Sequence, residues 1–121
     1  MSEHAEQVRL FRIAELWANN GYPELALLHA IPMGGQRHKA VAAKLKSEGA
    51  RAGVPDVALP VARQGKHGCY IEMKWGRNKP TPSQAWWIDR LRNEGYRVEV
   101  CYSCQEALDV LVDYLGGGRD A

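Results

Sequence analysis

No apolar run in these 121 residues approaches the roughly 20 that a membrane-spanning helix requires. The first residues are also too polar for the apolar stretch of a secretory signal. Cysteine is scarce and odd in number: three thiols cannot all pair within one chain, which excludes a complete disulfide framework. A reduced, cytoplasmic setting is expected. Net charge is scarce as well. The 16 Lys and Arg against 14 Asp and Glu leave only +2, which taken alone argues against a strong nucleic-acid binder. What is present is ordinary: 45% apolar and 25% charged residues, the composition of a folded globular chain. The length suits one domain, a sheet covered by a few helices.

The small net charge hides an asymmetry. Residues 1–36 carry two basic and four acidic residues, net −2, and residues 80–121 carry four against seven, net −3. Between them, Arg37 to Lys79 holds ten basic residues against Glu48, Asp56 and Glu72, net +7. A block this basic is the footprint of a phosphate-contacting surface, although a solvated lysine-rich face has the same composition.

Periodicity predicts a mixed α/β chain. Val8, Leu10, Phe11, Ile13, Ala14, Leu16 and Trp17 recur at helical spacing within 3–19, and Asn20-Gly21 closes that helix. Leu25 to Ile31, bounded by Pro23 and Pro32, reads as a buried strand. A helix is expected from His38 to Glu48, stopped by Gly49. Short strands follow at 56–59 and 69–74, joined by a polar hairpin-like connection at 64–68. Thr81 and Pro82 suit the cap and first position of a helix reaching Gly95. Tyr96 to Tyr102 alternates as a strand, and Ser103 caps a last helix ending at Leu115. The expected organisation is one domain over 1–116 and a flexible Gly-rich tail at 117–121. Its sheet is small, central and mixed, flanked by helices.

The segment with chemistry is Gly53-Val54-Pro55-Asp56, followed 16 residues later by Glu72-Met73-Lys74. In a strand, residues i and i+2 share a face, so Glu72 and Lys74 point one way and Met73 the other. If the strand after Asp56 pairs with this one, Asp56 and Glu72 stand side by side. Two adjacent carboxylates repel unless a cation lies between them, and oxygen ligands of this kind suit Mg²⁺ or Mn²⁺. Such an ion polarises a phosphodiester oxygen and acidifies a bound water, and Lys74 is suited to orient that water or to stabilise growing charge. Singly, each motif is ordinary: Asp after Pro is a common turn, and Glu-x-Lys can be a surface ion pair.

Together, these motifs resemble the VRR-NUC (virus-type replication-repair nuclease) domain of the PD-(D/E)xK nuclease superfamily. The likeness extends to Glu3-x-x-x-Gln7, to Ile31-Pro32-Met33-Gly34-Gly35-Gln36-Arg37, and to Lys46-x-x-Gly49-x-x-x-Gly53. Pro82-Ser83-Gln84, Gly95-Tyr96-x-Val98 and Glu106-Ala107 add to it. The resemblance implies a restriction-endonuclease-like core and a metal-dependent endonuclease. Asp56, Glu72 and the backbone carbonyl of Met73 would be metal ligands and Lys74 the catalytic lysine. Glu3 would complete the acidic cluster, and Gln84 would support it from the following helix. Glu6 is the rival of Glu3, but Glu3 is the acid that shares a helical face with Gln7. The family often carries Asn where this chain has Met33.

Small members of the family resemble homodimers acting on branched DNA, so a Holliday junction or similar structure is the expected substrate. The expected setting is an intracellular protein of bacterial or phage origin with a role in DNA repair. Arg37, Lys39, Lys44 and Lys46 are the candidate phosphate contacts. Two other readings stand beside this one: a DNA-binding module that cuts only with a partner protein, and a sequence-specific restriction-type endonuclease. Cys101-x-x-Cys104 has too few companions for a zinc site and is expected to be structural. Trp86-Trp87 is expected to supply one core residue and one dimer or DNA contact. His38 and His67 lie in basic loops within reach of phosphate.

Overall fold

The computed structural model describes residues 2–32 and 39–116. Met33, Arg37, His38 and the tail at 117–121 lie outside the described residues. Helix α1 (Glu3–Ala18) starts where the Ser2 hydroxyl accepts a hydrogen bond from the Ala5 N–H at 3.0 Å. Its inward stripe is Glu6, Leu10 and Ala14, the i, i+4 spacing of a helix with one buried face.

The run after α1 departs from expectation. Only His29–Ala30 forms a strand, β1, and Pro23–Leu27 forms a short 3₁₀ helix. Proline has a fixed φ and no amide hydrogen, so it favours the opening of a helical turn. Leu25 and Leu28 gain their burial in the core cluster beside Leu10 and Ala14. Apolarity alone does not reveal whether a short run is buried by a sheet or by a helix.

The remaining elements are α2 (Lys39–Ser47), β2 (Val57–Leu59), β3 (Cys69–Met73), α3 (Pro82–Asn93), β4 (Arg97–Cys101) and α4 (Cys104–Tyr114). The sheet order is β1-β2-β3-β4, antiparallel across the first three strands and parallel between β3 and β4. A parallel neighbour requires a crossover, and α3 provides it. Its start follows the expected chemistry: the Thr81 side chain accepts from the Gln84 N–H while the Gln84 side chain accepts from the Thr81 N–H. Likewise the Ser103 hydroxyl accepts from the Glu106 N–H at the start of α4.

Strand alternation sorts the sheet into two faces. Cys69, Ile71 and Met73 join Leu10, Leu108 and Leu111 in the core formed with α1 and α4. Tyr70, Glu72 and Lys74 point to the opposite face, where α3 packs along β4 and buries Ile88 and Val98. The architecture is the mixed α/β sheet expected. Among the described residues no helix is long and apolar enough to cross a membrane.

Candidate active site

The turn before β2 is built around a close approach. Gly53 has φ +96°, and a Cβ placed there would lie 2.6 Å from the backbone of Ser83 and 2.9 Å from the Trp87 ring. A side chain would therefore force α3 away, besides being strained in its own backbone. Pro55 is buried, and Asp56 follows at the entry to β2. Trp87 is half-buried here, whereas Trp86 is 53% exposed with the Arg90 guanidinium 5.1 Å above its ring.

Register then sets the acids together. Val57 pairs with Ile71 and Ala58 with Tyr70, so one step further out Asp56 stands beside Glu72. The Asp56 Oδ2 accepts the Met73 N–H at 2.8 Å, which anchors the carboxylate across the end of the strand pair. Glu72 is only 1% exposed, and its Oε1 has no hydrogen-bond partner. Its Oε2 lies 3.8 Å from the Lys74 Nζ, and Lys74 is also buried. The lysine backbone is tied to the next strand, its N–H donating to the Cys101 carbonyl at 2.9 Å.

Electrostatics make this a single coupled cluster. Burial, followed by the neighbouring charge of Asp56, pushes the Glu72 carboxyl up to about 8, with Lys74 opposing. Burial also raises Asp56, opposed by the Met73 N–H, a hydrogen bond shared with Glu72, and the Lys74 charge. Glu3, at the start of α1, is raised by burial and then by the charge of Asp56, again with Lys74 opposing. The charge of a third acid, from a distant element, is thus felt at the pair. Proximity of like charges in a poorly hydrated place disfavours ionisation, and such perturbed groups concentrate where chemistry is done.

The rival acid is engaged elsewhere. Glu6 is buried, its Oε1 accepting the Cys104 N–H at 2.9 Å and its Oε2 facing Arg9 at 3.3 Å. It joins α1 to the start of α4. Gln84 has its side-chain oxygen committed to the Thr81 N–H at 2.9 Å. Lys39, Lys44 and Lys46 are exposed on α2, a helix with no buried residue. Cys69, Cys101 and Cys104 are free thiols, all buried. Burial pushes the first two up to about 12, which keeps them protonated and inert.

Among the described residues no three or more His, Cys, Asp and Glu side chains gather as a ready metal cage. The donor set nevertheless fits a hard divalent cation. Two adjacent carboxylates, one with an unpartnered buried oxygen, have raised proton affinities that a cation would relieve. Sequence reasoning did not find that unpartnered oxygen, the Met73–Asp56 bond or the contact of Gly53 with α3. A Gly two residues before Pro-Asp was the only hint of the last.

Comparison with known proteins identifies the family and the fold. The model of the VRR-NUC domain family matches residues 10–105, a span that contains Asp56, Glu72 and Lys74 and begins after Glu3. A solved structure described as a VRR_NUC domain protein superposes with a TM-score of 0.80 at 29% identity, over 95% of this chain and 88% of that one. No curated protein matches the chain. With most of its length matched by the family and its fold shared with a solved relative, this chain belongs to the VRR-NUC domain family of restriction-endonuclease-like nucleases.

Proposed function

We propose that the protein is a Mg²⁺- or Mn²⁺-dependent endonuclease that hydrolyses phosphodiester bonds in Holliday junctions or other branched DNA, acting as a homodimer. The observation that carries this reading is the buried Glu72 beside half-buried Asp56, with a free Glu72 oxygen and Lys74 alongside. Asp56, Glu72 and the Met73 carbonyl would hold the cation, and Glu3 would complete the cluster directly or through water. When bound, such an ion would supply Lewis acidity at the phosphate and acidify a water. Lys74 orients the attacking water and meets the negative charge that develops on the phosphoryl oxygens. Water adds its hydroxyl to phosphorus, the P–O bond to the leaving strand breaks, and the departing oxygen takes a proton. Gln84 holds the start of α3, through the Thr81 cap, against the Gly53 turn.

Substrate contact rests on charge and shape. Arg37, Lys39, Lys44 and Lys46 lie in the +7 block between residues 37 and 79 and touch backbone phosphates, which position DNA without reading bases. A two-fold dimer with two sites matches the symmetry of a four-way junction, and exposed Trp86 is the aromatic residue suited to its interface.

The test is incubation of labelled four-way junction and linear duplex with the protein and Mn²⁺. Cleavage of the junction in preference to duplex, absent with Asp56→Ala, is expected. No cleavage of any DNA by the wild type, or equal cleavage by Asp56→Ala, refutes the reading.

A further inference from the structure

A cleft of about 260 Å³ opens on the face of the sheet that carries Glu72 and Lys74. Its walls include His29, Ile31, Ala58, His67, Tyr70 and Tyr96. Tyr70 lies two residues before Glu72 on β3, and Ala58 lies two residues after Asp56 on β2. Alternation therefore puts the cleft on the side of the carboxylates, displaced along the strands by roughly 7 Å. The two sites share a wall, because the Ile31 N–H donates to the Asp56 carbonyl at 2.7 Å.

The lining is largely aromatic. The Tyr96 ring meets Tyr70 edge-on at 5.4 Å and His67 at 5.7 Å. One glycine admits these rings: a Cβ on Gly95 would lie 2.8 Å from the His67 ring. His29 Nδ1 sits 3.0 Å from the Leu27 carbonyl, and when it donates there Nε2 is left as an acceptor. Although the cleft interrupts a strongly basic part of the sequence, none of its lining residues is Lys, Arg, Asp or Glu. That is unsuited to a phosphate and suited to a flat, uncharged ring with polar edges. The volume lies just below the roughly 300–1,000 Å³ of drug-sized ligand pockets, which matches one nucleoside.

We propose that this cleft receives the base of the nucleotide next to the scissile phosphate, taken out of its stack. The inference rests on the carboxylate site being the nuclease site, and it narrows the substrate. A base inside a duplex has both faces stacked and cannot enter a lateral cleft without being extruded, which costs least where it is already unpaired. Cutting is thereby directed to phosphates that adjoin an unpaired nucleotide, as at a branch point or a flap.

The test compares branched DNA carrying an abasic analogue on either side of the mapped cut with the intact strand, using wild type and Tyr70→Leu. Base stacking on an aromatic side chain accounts for on the order of tenfold in binding. The wild type is expected to show about a tenfold higher KM on DNA lacking the base, with kcat less affected. Tyr70→Leu is expected to show a similar rise on intact DNA and no further rise on abasic DNA. Equal KM for intact and abasic DNA on both sides of the cut, or independent multiplication of the two effects, overturns the proposal.

A second measurement does not depend on cleavage. Metal-free protein is titrated with a thymidine trinucleotide while the ring signals of His29, His67, Tyr70 and Tyr96 are followed by NMR. Shifts at these rings, weakened by His29→Ala at its exposed edge-strand position, are expected. If they occur in a protein that cuts no DNA, the nuclease reading fails and the cleft stands as a nucleotide site. If none of the four rings shifts, the cleft assignment fails whether or not DNA is cut.

Discussion

Two buried glutamates define two regions of opposite character. At the joint between α1 and α4, Glu6 is 4% exposed and satisfied at both oxygens by the Cys104 N–H and Arg9. At the end of the β2–β3 pair, Glu72 is 1% exposed with one oxygen unpartnered, beside another carboxylate. The first arrangement holds two helices together. The second is destabilising in the absence of a cation, because like charges in a poorly hydrated site raise each other's proton affinity. Equal burial therefore means different things, and the hydrogen-bond partners tell them apart.

The largest effect expected from this contrast is on activity. Glu72→Gln keeps the shape and removes the charge, so cleavage should fall by on the order of 10²–10³-fold or more. Its unfolding free energy at pH 7 should be unchanged or higher. Kinetics with Mn²⁺ and urea denaturation of the metal-free protein check the two halves; a large loss of stability would make Glu72 a structural residue like Glu6. Glu6→Leu should do the reverse. Leaving the Cys104 N–H without its acceptor costs about 1–3 kcal/mol, read as a lower urea midpoint, while cleavage per folded molecule is retained. Loss of activity without loss of stability would move Glu6 into the acidic cluster.

The third effect is a pH dependence, small at each step and spread over several pH units. Folding raises the Glu72 carboxyl from 4.5 to about 8, so between these values the native state holds a proton that the unfolded chain has released. The metal-free protein is then most stable below that window and loses stability as pH rises through it, by at most about 1.4 kcal/mol per unit. Denaturation at pH 5, 7 and 9 should show this decline, and Glu72→Gln should flatten it. Divalent cation should restore stability chiefly at the alkaline end, where it no longer competes with the proton. A stability that rises steadily from pH 5 to 9 in metal-free wild type would contradict the coupling of Glu72 to Asp56.

Much of the site is legible in the sequence because strand geometry is periodic. Glu72 and Lys74 share a face by alternation, and the 16-residue separation from Asp56 suits two strands joined by a turn. That turn forms at Arg63–Lys66, with Gln64 at φ 51°. The helices at 3–18, 82–93 and 104–114 are legible through their caps and apolar spacing. The 25–31 run is not, since a proline-opened 3₁₀ helix and a buried strand carry the same apolar residues. Nor are Glu3 and Glu6 separable beyond their spacing to Gln7: they are three positions apart on one helix, and what separates them is Cys104, some hundred residues away. The aromatic cleft is hidden for the same reason, its rings coming from β3 and the turns before β3 and β4, and His29 from β1.

The sequence by itself therefore determined the order of elements apart from the 3₁₀ helix at Pro23–Leu27, the pairing of Asp56 with Glu72 and Lys74, and the concentration of positive charge between residues 37 and 79. These depend on local spacing and on composition. Tertiary structure alone decided which first-helix acid is tied into the joint between α1 and α4, which glutamate is left with an unpartnered oxygen, and where an uncharged cleft interrupts a basic region. Those outcomes depend on contacts between residues distant in sequence, and burial and hydrogen-bond satisfaction exist only once the elements have packed.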